Sequence, residues 1–161
     1  MQNEDIFTAV MKRNRKIGTL KAALKNVTET VVRFSEVDSM QVVWHGHYVR
    51  FMEDGREAFG REFPGVGYLD FYMNGYTAPI VDLQLQYVAP LTVNDVAVIE
   101  TRFIDVAAAK LCFEYAIYRK SDGALAARGS SVQVFVDKEG NMCLNNPLFF
   151  EEWKKKWLTK E

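Results

Sequence analysis

The sequence contains few of the residues on which disulfide-rich, zinc-binding and membrane proteins depend. Cysteine occurs only twice in 161 residues, at Cys112 and Cys143, and no Cys-x-x-Cys spacing is present. Neither a disulfide framework nor a zinc site is therefore predicted. No segment approaches the ~18 apolar residues that a membrane span needs, and the N-terminus lacks an apolar run of signal-peptide length. We expect a cytoplasmic protein with two reduced, structural thiols.

An excess of charge of one sign is also absent. The 20 Lys and Arg residues face 21 Asp and Glu residues, which leaves a formal net charge of -1. Such a balance gives no general attraction to nucleic acid or to an anionic membrane, so neither is predicted as a partner. A ligand that carries phosphate must instead meet a local cluster of basic side chains.

The chain is predicted to consist of an N-terminal extension and a single domain. Residues 1–26 show weak helical spacing around the basic run at residues 12–16, and they are predicted to be helical and to pack on the domain or on a neighbouring subunit. The alternative is a basic arm that meets a phosphate group or a partner. Residues 27–161 form the predicted domain, which ends in a short amphipathic helix with a docking face of aromatic side chains.

Within this domain, the hydrophobic pattern changes from a strand period to a helix period and back. A strand is predicted over residues 27–36, a helix over 46–62, and four strands at about 77–87, 96–106, 110–119 and 124–136. The buried face of the helix is predicted to hold Val49, Met52, Phe59 and Phe63, and the solvated side Arg50, Glu53, Asp54, Arg56 and Glu57. This order predicts an α+β fold, in which a curved antiparallel sheet of about five strands wraps a central helix. The uncovered face and edges of such a sheet favour self-association.

Asp38 and His45 carry the chemistry that the sequence suggests. Asp38 follows the first strand, and His45 stands at the start of the helix, where the first backbone amides lack intrahelical acceptors. Such amides suit a developing oxyanion, and a carboxylate that faces them can attack a thioester carbonyl or deprotonate a water molecule. The pattern predicts an acyl-transfer site. An isolated aspartate at a strand end is also typical of a turn or a helix cap, which is the alternative.

Residues 33–56 resemble the signature of the 4-hydroxybenzoyl-CoA thioesterase family of hotdog-fold acyl-CoA thioesterases. The matching positions are Asp38, the segment Val42 to His45, Tyr48, Phe51, Glu53 and Arg56, and the resemblance covers about residues 27–140. It implies the hotdog fold and a homodimer or homotetramer with active sites at subunit interfaces. The implied reaction is hydrolysis of an acyl-CoA or acyl-carrier-protein thioester, and no cofactor is predicted.

The resemblance also implies roles for individual residues. Asp38 is implied as the nucleophile or general base, and His45 as a catalytic residue that acts through its side chain or its backbone amide. Gly46 and Tyr48 are predicted to position the oxyanion or the substrate, with Gly46 leaving room for an acyl group and Tyr48 also packing the helix on the sheet. Glu53 is the fallback carboxylate, because some hotdog thioesterases use a carboxylate on the helix. A surface or interface ion pair between Glu53 and Arg56 is the alternative.

Two features qualify this prediction. His45 and His47 form a His-x-His pair, but only Asp38 is spaced to join them, and no metal site is predicted. Met40 and Gln41 stand where the family usually has a glycine, so we expect a differently shaped loop and an altered substrate preference. A non-catalytic acyl-thioester binding module, which this departure favours, remains an alternative. A hotdog hydratase or dehydratase is a second alternative, although Pro64-Gly65 follows no suitable histidine.

Overall fold

A computed structural model describes residues 22–158, with side chains from residue 23 onward. The predicted order of elements is confirmed: one strand and a long helix precede four strands and a C-terminal helix. The elements are β1 (Ala22–Val31), a 3-10 turn (Phe34–Glu36), α1 (His47–Glu62), α2 (Tyr68–Met73), β2 (Ile80–Tyr87), β3 (Val96–Ile104), β4 (Lys110–Arg119), β5 (Leu125–Val134) and α3 (Leu148–Leu158). The predicted N-terminal extension lies, up to residue 21, outside the described residues.

The five strands form one sheet in the order β1-β3-β4-β5-β2. Every neighbouring pair is antiparallel, and α1 packs against β1, β3 and β4. This is the predicted α+β architecture and the hotdog fold. β1 and β2 are the two edges of the sheet. None of the described helices is both long enough and apolar enough to cross a membrane.

The first strand differs from its predicted boundaries. It was expected over residues 27–36, but β1 covers Ala22–Val31, so residues 22–26 belong to the sheet and not to a helical extension. The strand ends early because the chain turns into the 3-10 turn, where the Glu36 side chain accepts a hydrogen bond from the Arg33 amide at 3.0 Å. This turn redirects the chain toward Asp38.

Helix α1 approaches the sheet closely at Gly55. A Cβ atom at this position would lie 2.4 Å from Thr101 Oγ1 and 2.7 Å from Ile99 Cγ2, so only glycine fits without a shift of its neighbours. The side chains of Tyr48, Phe51, Met52 and Phe59 on this helix are buried. Of the predicted buried face, Val49 and Phe63 are only partly buried.

The C-terminal helix α3 docks on the domain through its aromatic residues, as predicted. Trp153 and Phe150 are buried, and their rings stack with centroids 5.9 Å apart. The Trp153 indole also donates a hydrogen bond to the Phe63 carbonyl at 3.0 Å. Helix α3 therefore covers the end of α1.

Candidate active site

Asp38 lies on a short hairpin that connects the sheet to α1. In this hairpin the Trp44 amide donates to the Glu36 carbonyl at 2.9 Å, and the Asp38 amide donates to the Val42 carbonyl at 2.9 Å. The far strand of the hairpin is fixed in turn by a hydrogen bond from the Val43 amide to the Leu91 carbonyl at 2.8 Å. The loop that bears Asp38 is therefore anchored on both sides.

The hairpin closes through a three-residue loop with a left-handed residue at its end. Gln41 has a φ of 63°, and its amide donates to the Asp38 carbonyl at 2.9 Å. A turn followed by a left-handed residue is a common way to close a loop of this length, and glycine adopts that conformation most easily. Gln41 thus adopts a conformation that glycine takes more easily, and the expectation that Met40 and Gln41 reshape the loop stays a prediction.

The Asp38 carboxylate is held at one oxygen only. Its Oδ1 atom accepts a hydrogen bond from the Met40 amide at 2.8 Å, which is the local turn that aspartate and asparagine side chains form. Within residues 22–158 no hydrogen-bond donor or cation is placed at Oδ2. The side chain is half-buried. Asp38 thus forms the turn that was the alternative prediction and still presents one carboxylate oxygen for chemistry.

His45 stands at the other end of the hairpin from Asp38. Asp38 pairs with Val42, and His45 comes three residues after Val42, in the turn that leads into α1, where the His47 amide donates to the Trp44 carbonyl at 2.9 Å. The exposed His45 ring packs against Trp44 with centroids 5.0 Å apart. Its carbonyl accepts a hydrogen bond from the Tyr87 hydroxyl at 2.7 Å. His45 is therefore held at the turn between the hairpin and α1.

Gly46 is the N-cap of α1, and the space beside its Cα atom is filled by Trp44. A Cβ atom at Gly46 would lie 2.3 Å from the indole ring. The glycine therefore makes room for Trp44, and the prediction that it leaves space for an acyl group is wrong for this side of the residue. For the amides of His45 and Gly46, the described part of the chain offers no hydrogen-bond acceptor. Both amides remain candidates for binding an oxyanion.

Tyr48 packs the helix on the sheet, as predicted. Its side chain is 3% exposed, and its ring meets Phe51 and Tyr87 edge-on with centroids 5.8 and 5.2 Å apart. Burial raises the pKa of Tyr48, and a hydrogen bond with the Leu91 backbone opposes this shift. Tyr48 therefore supports the ring of Tyr87, whose hydroxyl donates to the His45 carbonyl.

The predicted ion pair between Glu53 and Arg56 is not formed. Glu53 accepts a hydrogen bond from the Tyr68 hydroxyl at 2.9 Å, while Arg56 is 2% exposed and donates to the Val66 carbonyl at 2.8 Å. The prediction that Arg56 lies on the solvated side of α1 is wrong, because the helix turns this residue inward between α2 and the sheet. Glu53 keeps its place as the fallback carboxylate.

An open groove of about 650 Å³ runs between the end of β1 and the outer side of α1. Burial raises the pKa of Asp54 in this groove, and the nearby carboxylate of Glu57 adds to the shift. Carboxylates outnumber arginines here, so the groove does not suit the phosphates of coenzyme A. The lining residues are Thr30, Arg33, Glu36, Gly46, Val49, Arg50, Glu53, Asp54 and Glu57.

Two residues at the site were not predicted from the sequence. Glu36 is 7% exposed and closes the turn before Asp38. Tyr87 binds the His45 carbonyl from the edge strand β2, 42 residues away in the chain. The only indication of Glu36 in the sequence is its position two residues before Asp38. For Tyr87 the sequence offers no signal, because the contact depends on how β2 meets the hairpin.

His45 and His47, the His-x-His pair of the sequence, both lie beside the ring of Trp44. Among residues 22–158, no group of three or more His, Cys, Asp or Glu side chains is arranged to hold one. The ring of His47 instead packs edge-on against Trp44, with centroids 6.1 Å apart. Both histidine rings thus contact Trp44 at the helix start.

Comparison with known proteins places this architecture in a family. A family model described as the thioesterase-like superfamily matches residues 32–158. The Bacillus subtilis (strain 168) protein named "Putative acyl-CoA thioesterase YneP" is 33% identical over 125 residues, which cover 78% of this chain and 89% of that protein.

Solved structures show the same fold at lower sequence identity. A DHNA-CoA thioesterase from Staphylococcus aureus has a TM-score of 0.73 at 23% identity, with 82% of this chain and 89% of that chain covered. A 4-hydroxybenzoyl-CoA thioesterase variant, solved with 4-hydroxybenzoyl-CoA, has a TM-score of 0.69 at 18% identity, with 80% and 97% covered. At these identities the likeness concerns the fold.

A sheet of five antiparallel strands that packs on one long helix is the hotdog fold. The chain belongs to the thioesterase-like superfamily. It is a thioester hydrolase, and the resemblance of residues 33–56 to the 4-hydroxybenzoyl-CoA thioesterase family is confirmed.

Proposed function

We propose that the protein hydrolyses an acyl-CoA thioester and that Asp38 is its nucleophile or general base. The observation that carries this proposal is the Asp38 carboxylate, whose Oδ1 is fixed by the Met40 amide at 2.8 Å while Oδ2 has no protein partner in the described chain. A fixed carboxylate with one free oxygen suits attack or proton abstraction. The name of YneP, and the CoA thioester bound in the 4-hydroxybenzoyl-CoA thioesterase, support CoA as the carrier of the acyl group.

The reaction follows from this geometry by either of two routes. As a nucleophile, Asp38 adds through Oδ2 to the thioester carbonyl carbon, and collapse of the tetrahedral intermediate expels the CoA thiolate and leaves a mixed anhydride. Water then hydrolyses the anhydride to the free acid and restores Asp38. As a general base, Asp38 removes a proton from a water molecule that attacks the same carbon. In both cases the oxyanion accepts hydrogen bonds from the amides of His45 and Gly46, and the His45 ring is available to orient the water or the thioester.

The proposal is tested by thiol release from a panel of short, medium, long and aryl acyl-CoA substrates, with an acyl-carrier-protein thioester and an oxygen ester as comparisons. We expect turnover of at least one acyl-CoA class and little hydrolysis of the oxygen ester. Turnover of the carrier-protein thioester alone would contradict the choice of CoA. Thermal stabilisation by acyl-CoA without any thiol release would identify a binding module, because a ligand stabilises the folded protein whether or not it reacts.

Self-association through β2 is the second part of the proposal. Leu83, Leu85 and Tyr87 alternate along this edge strand and share the face that meets α1, because Leu85 pairs with Gly129 and a Cβ at Gly129 would lie 3.3 Å from Met52 on α1. Leu83 is 41% and Tyr87 49% exposed. An edge strand with exposed apolar side chains invites pairing with another strand. A second copy of the chain fits this edge, which gives a homodimer or, by further pairing, a homotetramer.

Light scattering during size-exclusion chromatography tests this part of the proposal. Leu83→Lys places a charge on the β2 edge and is expected to shift the protein to a monomer. Val27→Lys is the matched control on the other edge strand, where Val27 is 51% exposed, and it is expected to leave the mass unchanged. A monomeric wild type, or an oligomer that survives Leu83→Lys, would contradict this interface. The predicted cytoplasmic location stays a prediction that cell fractionation can test.

A further inference from the structure

We propose that Tyr87 is a positioning residue that aims the oxyanion-binding amide at the start of α1. The inference rests on the proposed function, because it concerns the hydrogen bonds that stabilise the oxyanion. Tyr87 lies at the end of β2, outside the segment that resembles the thioesterase signature. Its hydroxyl donates to the His45 carbonyl at 2.7 Å, and this is a direct link between the edge strand and the candidate site.

Because of the geometry of the peptide bond, a hydrogen bond to the His45 carbonyl also sets the direction of the Gly46 N–H. In a trans peptide, the carbonyl of one residue and the N–H of the next lie in one plane and point in opposite directions. The His45 carbonyl is directed at Tyr87, so the Gly46 N–H is directed away from Tyr87. Gly46 is the N-cap of a helix of 16 residues, and glycine has no Cβ to restrict rotation of the peptide. The hydrogen bond from Tyr87 therefore restricts the rotation of a peptide that Gly46 leaves free.

The position of the Tyr87 ring is itself fixed. The ring packs edge-on against Tyr48 with centroids 5.2 Å apart, and Tyr48 is 3% exposed in the core. The backbone of β2 is bound to β5 up to the pair of Tyr87 and Ala127. Burial raises the pKa of Tyr87 above its ordinary value of 10.0, so the hydroxyl remains a donor at neutral pH. The Tyr48 ring and the β5 backbone thus hold Tyr87 in place, so its hydroxyl can fix the peptide between His45 and Gly46 before the substrate binds. Stabilisation of an oxyanion requires donors that are oriented in advance in this way.

A role in positioning predicts an effect on the transition state and little effect on substrate binding. Tyr87→Phe keeps the ring and its packing on Tyr48 but removes the hydroxyl. We expect kcat to fall about tenfold, the effect of one hydrogen bond on a transition state, with KM nearly unchanged. Tyr72→Phe is the matched control, because Tyr72 is 76% exposed on α2 and makes no hydrogen bond to the hairpin in the described chain, and it is expected to leave kcat unchanged.

A pair of inhibitors separates positioning from a structural role. The probes are a trifluoromethyl ketone analogue of the best acyl-CoA substrate, which forms a tetrahedral oxyanion, and the corresponding thioether, which does not. Tyr87→Phe is expected to weaken the ketone about tenfold and the thioether less than twofold. The ratio of the two affinities is taken within one preparation, so a loss of folded protein cancels.

The outcomes distinguish this inference from the proposed function. If the wild type turns over substrate and Tyr87→Phe leaves both kcat and the affinity ratio unchanged, the role of Tyr87 is wrong while the proposed function stands. Equal weakening of both inhibitors would also overturn it, because that result indicates a general disturbance of the pocket. A wild type without turnover on any thioester would overturn the proposed function and this inference together.

Discussion

The guanidinium carbon of Arg56 lies 4.2 Å from the centre of the Phe113 ring. This cation is 2% exposed, and no ion pair with a carboxylate is formed by it in the described chain. Its Nε atom has no hydrogen-bond partner among residues 22–158, and burial lowers the pKa of Arg56. The aromatic face and the Val66 carbonyl therefore take the place of a counter-ion, and together they tie α1 to the segment before α2.

Replacement of Arg56 by lysine should destabilise the protein. Lysine keeps the charge but loses the planar group that stacks on Phe113 and donates sideways to Val66. We expect the free energy of unfolding to fall by about 2 kcal/mol, measured by urea denaturation. Arg50→Lys, on the exposed side of the same helix, is the control and should stay within about 0.5 kcal/mol of the wild type. Equal midpoints for the two variants would show that the stacked geometry of Arg56 does not matter.

The sequence predicted the regular elements well because their periodicity is local. The helix from residue 46 to 62 and the strand from 110 to 119 each depend on hydrophobic spacing that tertiary contacts reinforce, and both are found within one residue of their predicted limits.

The buried polar residues could not be predicted in the same way. Arg56 was assigned to solvent because an arginine in a helical pattern is usually exposed, and its burial depends on the Phe113 ring and the Val66 carbonyl, which lie outside the helix. The contact of Tyr87 with His45 depends on the approach of two distant segments. The candidate site is therefore predictable in its motif, Asp38 to Arg56, and unpredictable in its supporting contacts.

Gln41 provides a test of strain next to Asp38. A non-glycine residue with a φ of 63° costs of order 1 kcal/mol, which Gln41→Gly relieves, while the greater freedom of glycine in the unfolded chain offsets part of the gain. We expect a net stabilisation of about 0.5 kcal/mol, measured by urea denaturation. Ser39→Gly, in the same loop but without a positive φ, should destabilise by about 0.5 kcal/mol. A loss of stability in both variants would mean that Gln41 is not strained.

Two glycines of α1 should respond to alanine in opposite directions. At Gly55 a Cβ would lie 2.4 Å from Thr101 Oγ1, whereas at Gly60 the nearest contact is the Gly67 Cα at 3.4 Å. Gly55→Ala is expected to cost about 1–3 kcal/mol because the helix must move from the sheet, and Gly60→Ala to gain up to about 1 kcal/mol from helix propensity. Thermal unfolding of the two variants checks this prediction. A higher melting temperature for Gly55→Ala would contradict the close approach of helix and sheet.

We propose that the Asp38 carboxylate both forms its turn and reacts with the thioester or with water. The asparagine side chain in the variant Asp38→Asn retains an oxygen that accepts the Met40 amide, so the turn and the stability should be preserved while the nucleophile or base is lost. Glu53→Gln is the matched control on the fallback carboxylate and should stay within about threefold of wild-type turnover, since loss of a general base typically costs far more.

A reactive Asp38 is distinguished from a turn residue by kcat of Asp38→Asn on the best acyl-CoA substrate, with the melting temperature of the variant recorded beside it. We expect a fall of roughly 10²–10⁴-fold in kcat at an unchanged melting temperature. A variant that turns over the substrate at close to the wild-type rate would contradict this expectation and return Asp38 to the role of a turn residue.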